Sequence, residues 1–133
     1  METYNQIHAV KLDDVPVMST DRCIPRKQQA ALARQLLKQL GVKGVSITAP
    51  NYSMAQSVDV RLPDEPRPSM AGFEQYEHST YSDMPDNVPI KAAFLRKRAA
   101  EKALEAILAS AFPNHDSRSD TQTDYFDYCW SVN

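Results

Sequence analysis

Few residues in the chain are of a type and spacing that could do chemistry. Three histidines (His8, His78 and His115) and two cysteines (Cys23 and Cys129) stand among scattered serines and carboxylates. His78 lies in FEQYEHSTYSD with Glu77 and Asp83 nearby, and His115 precedes Asp116, with Asp120 following. Either set offers donors for a hard or borderline metal. Neither has the helical i, i+4 or Cys-x-x-Cys spacing that fixes ligands around an ion. No G-x-S-x-G turn exists to present a serine nucleophile. With Gly41, Gly44 and Gly72 as its only glycines, the chain has no glycine-rich loop to cradle a phosphate. Cys129 stands among aromatic residues in a strand-like segment, the setting of an inert packed thiol. A chain of 133 residues buries enough surface to fold without a Cys23–Cys129 staple. No catalytic residue, metal ligand or cofactor site is assigned, and a protein without enzymatic activity is expected.

Charge and aromatic residues remain as the means of function. The formal net charge of −2 conceals a strong segregation. Arg22, Arg26, Lys27, Arg34, Lys38 and Lys43 follow one another without an acid between them. Lys91, Arg96, Lys97, Arg98 and Lys102 meet Glu101 alone. From Pro63 to Val88, Asp64, Glu65, Glu74, Glu77, Asp83 and Asp86 stand against the single base Arg67. The tail adds Asp116, Asp120, Asp124 and Asp127. Such a distribution either balances charge across a solvated surface or presents two oppositely charged faces to separate partners.

The elements that must position these residues follow from periodicity. Residues 1–19 alternate weakly around Ile7 and Ala9, which predicts a loosely held segment with a short edge strand. Thr20 or Asp21 is a candidate cap for a helix beginning near Pro25. That helix places Gln29, Leu32, Ala33, Leu36, Leu37 and Leu40 on one stripe and stops at Gly41. Val45, Ile47 and Ala49, then Val58, Val60 and Leu62, alternate with polar residues as a hairpin with one buried face. Residues 63–88, broken by Pro63, Pro66, Pro68 and Pro85, form a long irregular loop. Its Met70, Phe73, Tyr76, Tyr81 and Met84 imply partial packing or a binding role.

A second helix spans Pro89 to Ala111 with Ile90, Ala93, Ala100, Leu104, Ile107, Leu108 and Ala111 on one stripe. Lys97 falls about 20° from the centre of that stripe at 100° per residue. A lysine there snorkels past the core's edge, or else it reaches an acid. The closing DYFDYCWSVN reads as one strand, with Phe126, Tyr128, Trp130 and Val132 on one face and Tyr125, Asp127, Cys129 and Ser131 on the other. The expectation is a single α+β domain over residues 1–133, two helices on one face of a small, mainly antiparallel sheet.

Two resemblances bear on function. IKAAFLRKRAAEKALEAIL resembles the basic, alanine-rich second helix of double-stranded-RNA-binding domains, which meets phosphates across a groove. Only two strands precede it here, and PDNVP replaces that family's glycine-containing loop. The second resemblance covers residues 26–85. The helix, then GVSITAP, a polar turn and SVDVRLPDEP, is similar to the small α+β type of the large polyvalent protein-associated domains of phages and plasmids. Leu62 stands where that family has an aromatic, and Glu65 interrupts its aspartate–glycine–proline ending. Phe73 and Tyr81-Ser82-Asp83 resemble its aromatic-and-aspartate loop. The resemblance implies a small protein of a mobile element, with no catalytic residues to carry over.

Together these features lead to a protein-interaction module that binds a host protein or nucleoprotein complex, such as a restriction or CRISPR-type system. Phe73, Tyr76, Tyr81, Asp83, Asp86, Asp120, Tyr125 and Asp127 are the candidate acidic and aromatic contacts. The alternative is a nucleic-acid-binding domain using Arg26, Lys27, Arg34, Arg96, Lys97 and Arg98. A free sheet edge would also allow a homodimer. No apolar run reaches the roughly 18 residues of a membrane span, and METYNQIHAV lacks the order of a secretory leader, so a cytoplasmic protein is expected.

Overall fold

A computed structural model of the chain describes residues 2–20, 24–49, 58–113, 119–120, 125–126 and 130–132. The elements follow in the order α1 (Glu2–Ala9), α2 (Arg26–Gln39), β1 (Ser46–Thr48), β2 (Val58–Arg61), α3 (Pro89–Ala111), β3 (Ser119–Asp120), β4 (Tyr125–Phe126) and β5 (Trp130–Val132). Three short 3-10 turns, at Leu12–Asp14, Glu74–Tyr76 and Tyr81–Asp83, interrupt the connections. The chain is an α+β fold. One sheet has the order β1-β2-β5, with β1 antiparallel and β5 parallel to the central β2. β3 and β4 form a separate antiparallel pair.

The two long helices lie where their apolar stripes dictate. α2 buries Ala33, Leu36 and Leu37, and α3 buries Leu104, Ile107 and Leu108, against Ile47, Val58 and Val60 of the sheet. Each such leucine, isoleucine or valine contributes about 1.5–3 kcal/mol on leaving water. The opposite sheet face carries exposed Ser46, Thr48 and Arg61 and half-buried Asp59, as period-two alternation requires. α2 ends in a Schellman motif. Gly41 takes φ +76° and donates to the Lys38 carbonyl, while Val42 N–H reaches back to Leu37 O at 2.9 Å.

Several expectations are corrected. The N-terminal segment is the helix α1 and not an edge strand. Thr3, Tyr4 and Ile7 are its buried residues, with Thr3 and Ile7 four apart, and Ala9 is exposed. Tertiary contacts decide the matter. Thr3 Oγ1 donates to Lys43 O at 2.7 Å, and the Tyr4 hydroxyl donates to Pro63 O at 2.6 Å. α2 starts at Arg26 with Pro25 at its N-cap; Thr20 lies outside the helix, and Asp21 is outside the described residues. The closing segment does not serve one sheet alone; its residues 127–129 lie outside the described residues. Its two pieces join different sheets, Tyr125–Phe126 with β3 and Trp130–Val132 with β2. Trp130 does reach the core, its ring tilted on buried Phe112 at 5.1 Å. Among the described residues no helix is long and apolar enough to cross a membrane.

Candidate interaction surface

α3 outruns the core it serves. From Ala100 onward its inner residues are buried against α1 and the sheet, whereas Ile90, Ala93, Phe94 and Lys97 are only half-buried. These four recur at intervals of three and four residues and so share one side of the helix, continued by Glu101. The segment 63–88 folds against that side. Met70, Met84 and Val88 form a small core of their own, with Phe73, Tyr76 and Ile90 packed against it.

Charged and aromatic contacts fix the segment to the helix. The Arg96 guanidinium grips both Glu65 oxygens, with Nη2 at 2.8 Å and Nε at 3.0 and 3.1 Å. This two-pronged geometry is the strong form of the arginine–carboxylate contact. It holds the Glu65 carboxyl below its usual range. Lys97 Nζ meets Asp64 Oδ1 at 2.5 Å, and that bond raises the lysine above its ordinary value. Lys97 therefore reaches an acid instead of snorkelling into solvent. Tyr81 stacks on Phe94 with centroids 4.3 Å apart and planes 10° from parallel, and Lys91 Nζ donates to the Tyr81 carbonyl. A stacked pair of this kind adds about 0.5–1.5 kcal/mol beyond the area it covers. Between helix and segment runs a groove of about 620 Å³, walled by Tyr4, Asp64, Arg67, Tyr81, Phe94, Arg98, Glu101 and Val132 among others.

The proposed acidic and aromatic contacts separate into two groups. Phe73 and Tyr76 are half-buried in the small core and serve as scaffold. Tyr81, Asp83 and Asp86 are exposed on one short stretch beside the groove. Asp83 accepts from Thr80 Oγ1 at 2.9 Å, and neither aspartate forms an ion pair with a described residue. Asp120 and Tyr125 are register partners in the β3–β4 ladder; Asp127 lies outside the described residues. The cations of the alternative set are also divided. Arg96 and Lys97 are paired with Glu65 and Asp64, and Arg34 donates to Ile47 O at 2.7 and 3.1 Å. Lys27 and Arg98 are exposed, and Arg26 is half-buried.

Periodicity and motifs missed Asp64, Glu65, Phe94 and Arg67 as parts of this surface. A signal for two of them was present, since adjacent acids at 64–65 answer adjacent bases at 96–97. Among the described residues no group of three or more His, Cys, Asp or Glu side chains is arranged to hold a metal. Comparison with protein-family models, curated proteins and solved structures returns no match.

Proposed function

We propose that this chain is a non-enzymatic interaction protein that binds a basic, nucleic-acid-handling surface of a partner through Tyr81, Asp83 and Asp86. One observation supports it above others: the 63–88 segment is docked on α3, so its exposed carboxylates are displayed on a fixed support beside a groove. Pre-ordered groups lose less entropy on binding than groups on a free loop. Carboxylates so placed compete with a phosphate backbone for lysine and arginine, and an exposed tyrosine supplies an anchor that can be desolvated. Basic surfaces of that kind belong to nucleases and other nucleoprotein machines. With the likeness of residues 26–85 to phage and plasmid domains, the partner class is a host defence complex in the cytoplasm, which the protein inhibits by occupancy.

Direct nucleic-acid binding has less support. Arg96, Lys97 and Arg98 are consecutive on a helix and fan over about 200°, so they do not share a face. Two of the three are already neutralised by acids. The test is the double variant Asp83→Lys with Asp86→Lys. Both sites are exposed, so the wild-type melting temperature is expected to persist. Affinity for the partner captured from nuclease-treated host lysate is expected to fall at least about tenfold. Undiminished binding would remove this surface from the account. A salt-sensitive gel shift with duplex nucleic acid would favour the second reading.

A further inference from the structure

The opposite charge is concentrated elsewhere, along α2. Lys27, Arg34 and Lys38 recur at i, i+7 and i+11, which aligns them within about 40° along roughly 16 Å of helix. α2 carries no acid at all. At its C-terminal end the row opens into a slot of about 200 Å³ whose wall, among the described residues, holds three cations, Arg34, Lys38 and Lys43, and no carboxylate. Its floor is apolar, formed by Leu37, Val42 and Ile47, all of them buried.

The fold fixes the Arg34 guanidinium and the backbone from which Lys43 extends. Arg34 lies over β1 with Nε and Nη2 on the Ile47 carbonyl, which leaves other guanidinium N–H groups for a ligand. The backbone of Lys43 is clamped on both sides by α1. Its N–H donates to Gln6 Oε1 at 2.9 Å, and its carbonyl accepts from Thr3 Oγ1 at 2.7 Å. Lys38 and Lys43 are exposed and form no ion pair with a described residue.

We infer that this slot is a second docking site, separate from the Tyr81–Asp86 edge, and that it takes an acidic polypeptide segment carrying one apolar side chain. Charge complementarity selects an anion, because a wall of three cations without an acid repels any basic segment. The floor decides which anion. A phosphodiester backbone gains nothing from buried leucine, valine and isoleucine, whereas a leucine or phenylalanine between carboxylates fills the slot and leaves water. The row toward Lys27 then receives the remaining carboxylates.

Fluorescence anisotropy with short fluorescein-labelled Asp/Glu peptides bearing Leu, Phe or Ser at the centre tests this. The Leu or Phe peptide is expected to bind and to weaken with salt. It should lose at least about tenfold in the Lys38→Glu, Lys43→Glu double variant, and similarly when the centre is Ser. The same variant should leave capture through Asp83 and Asp86 unchanged, which separates failure here from failure of the proposed function. No binding of any peptide at low salt, equal affinity for the Ser peptide, or tighter binding of a single-stranded oligonucleotide through the same lysines would overturn the inference.

Discussion

Single residues set the distances at which the elements of this protein meet. Gly44 is the sharpest case. Its φ of +87° is one that residues with a Cβ adopt only at a penalty, and a Cβ built there stands 2.7 Å from Thr3 Oγ1. That hydroxyl cannot rotate away freely, since it holds the Lys43 carbonyl and thereby fastens α1 to the turn before β1. Gly41 offers the contrast, with φ +76° but nothing within 4 Å of the added atom. Gly44→Ala is therefore expected to cost about 2–5 kcal/mol, strain and overlap together, and Gly41→Ala only the strain, about 1–2 kcal/mol. Urea unfolding measures both. Equal losses at the two positions would show that the contact with Thr3 is not a constraint.

At the scale of elements, the contact that matters most is the docking of 63–88 on α3, and its charges give it a pH signature. Arg96 favours the ionised form of Glu65, so this contribution to stability is present above the ordinary glutamate pKa of 4.5 and is lost as pH falls through the lower folded value. Asp64 favours protonated Lys97, so its contribution is present below 10.5 and is lost as pH rises through the higher folded value. Glu65→Gln is expected to lower the melting temperature at neutral pH and to match the wild type only once the pH lies below the lowered folded value, where the native glutamate is protonated as well. A difference that survives at that pH would rule out the ion pair as its cause. The ends of α3 are legible in the sequence, because Pro89 at its first position and Pro113 just past its end punctuate a clean helical stripe. α1 is not legible in this way. Eight residues with buried Thr3, Tyr4 and Ile7 fit two periods, and their partners Lys43 and Pro63 stand 40 and 59 positions away. The groove is hidden for the same reason. Its acids at 64–65 and bases at 96–97 are 31 and 33 residues apart, and no local pattern links them.

Across the whole molecule, the charge segregation seen in the sequence becomes geography. Among the acids of the loop, Asp64 and Glu65 pair with α3 and fasten it, whereas Asp83 and Asp86 are exposed without an ion pair to a described residue. The cations divide in the same way between α3, where Arg96 and Lys97 are satisfied, and α2, where Lys27 and Lys38 remain exposed. Two exposed regions of opposite charge, as proposed above for docking, would suit a protein of this size to bridging or blocking other macromolecules. Among the described residues, no buried polar side-chain atom is without a hydrogen-bond partner. The most direct test places a photo-crosslinking amino acid at Tyr81 and, in a second protein, at Thr48 on the polar sheet face, and irradiates each in host lysate treated with nuclease. A single discrete protein adduct is expected from position 81, absent when Asp83 and Asp86 are lysine, and none from position 48. An adduct from position 48 with none from 81 would contradict the proposed function.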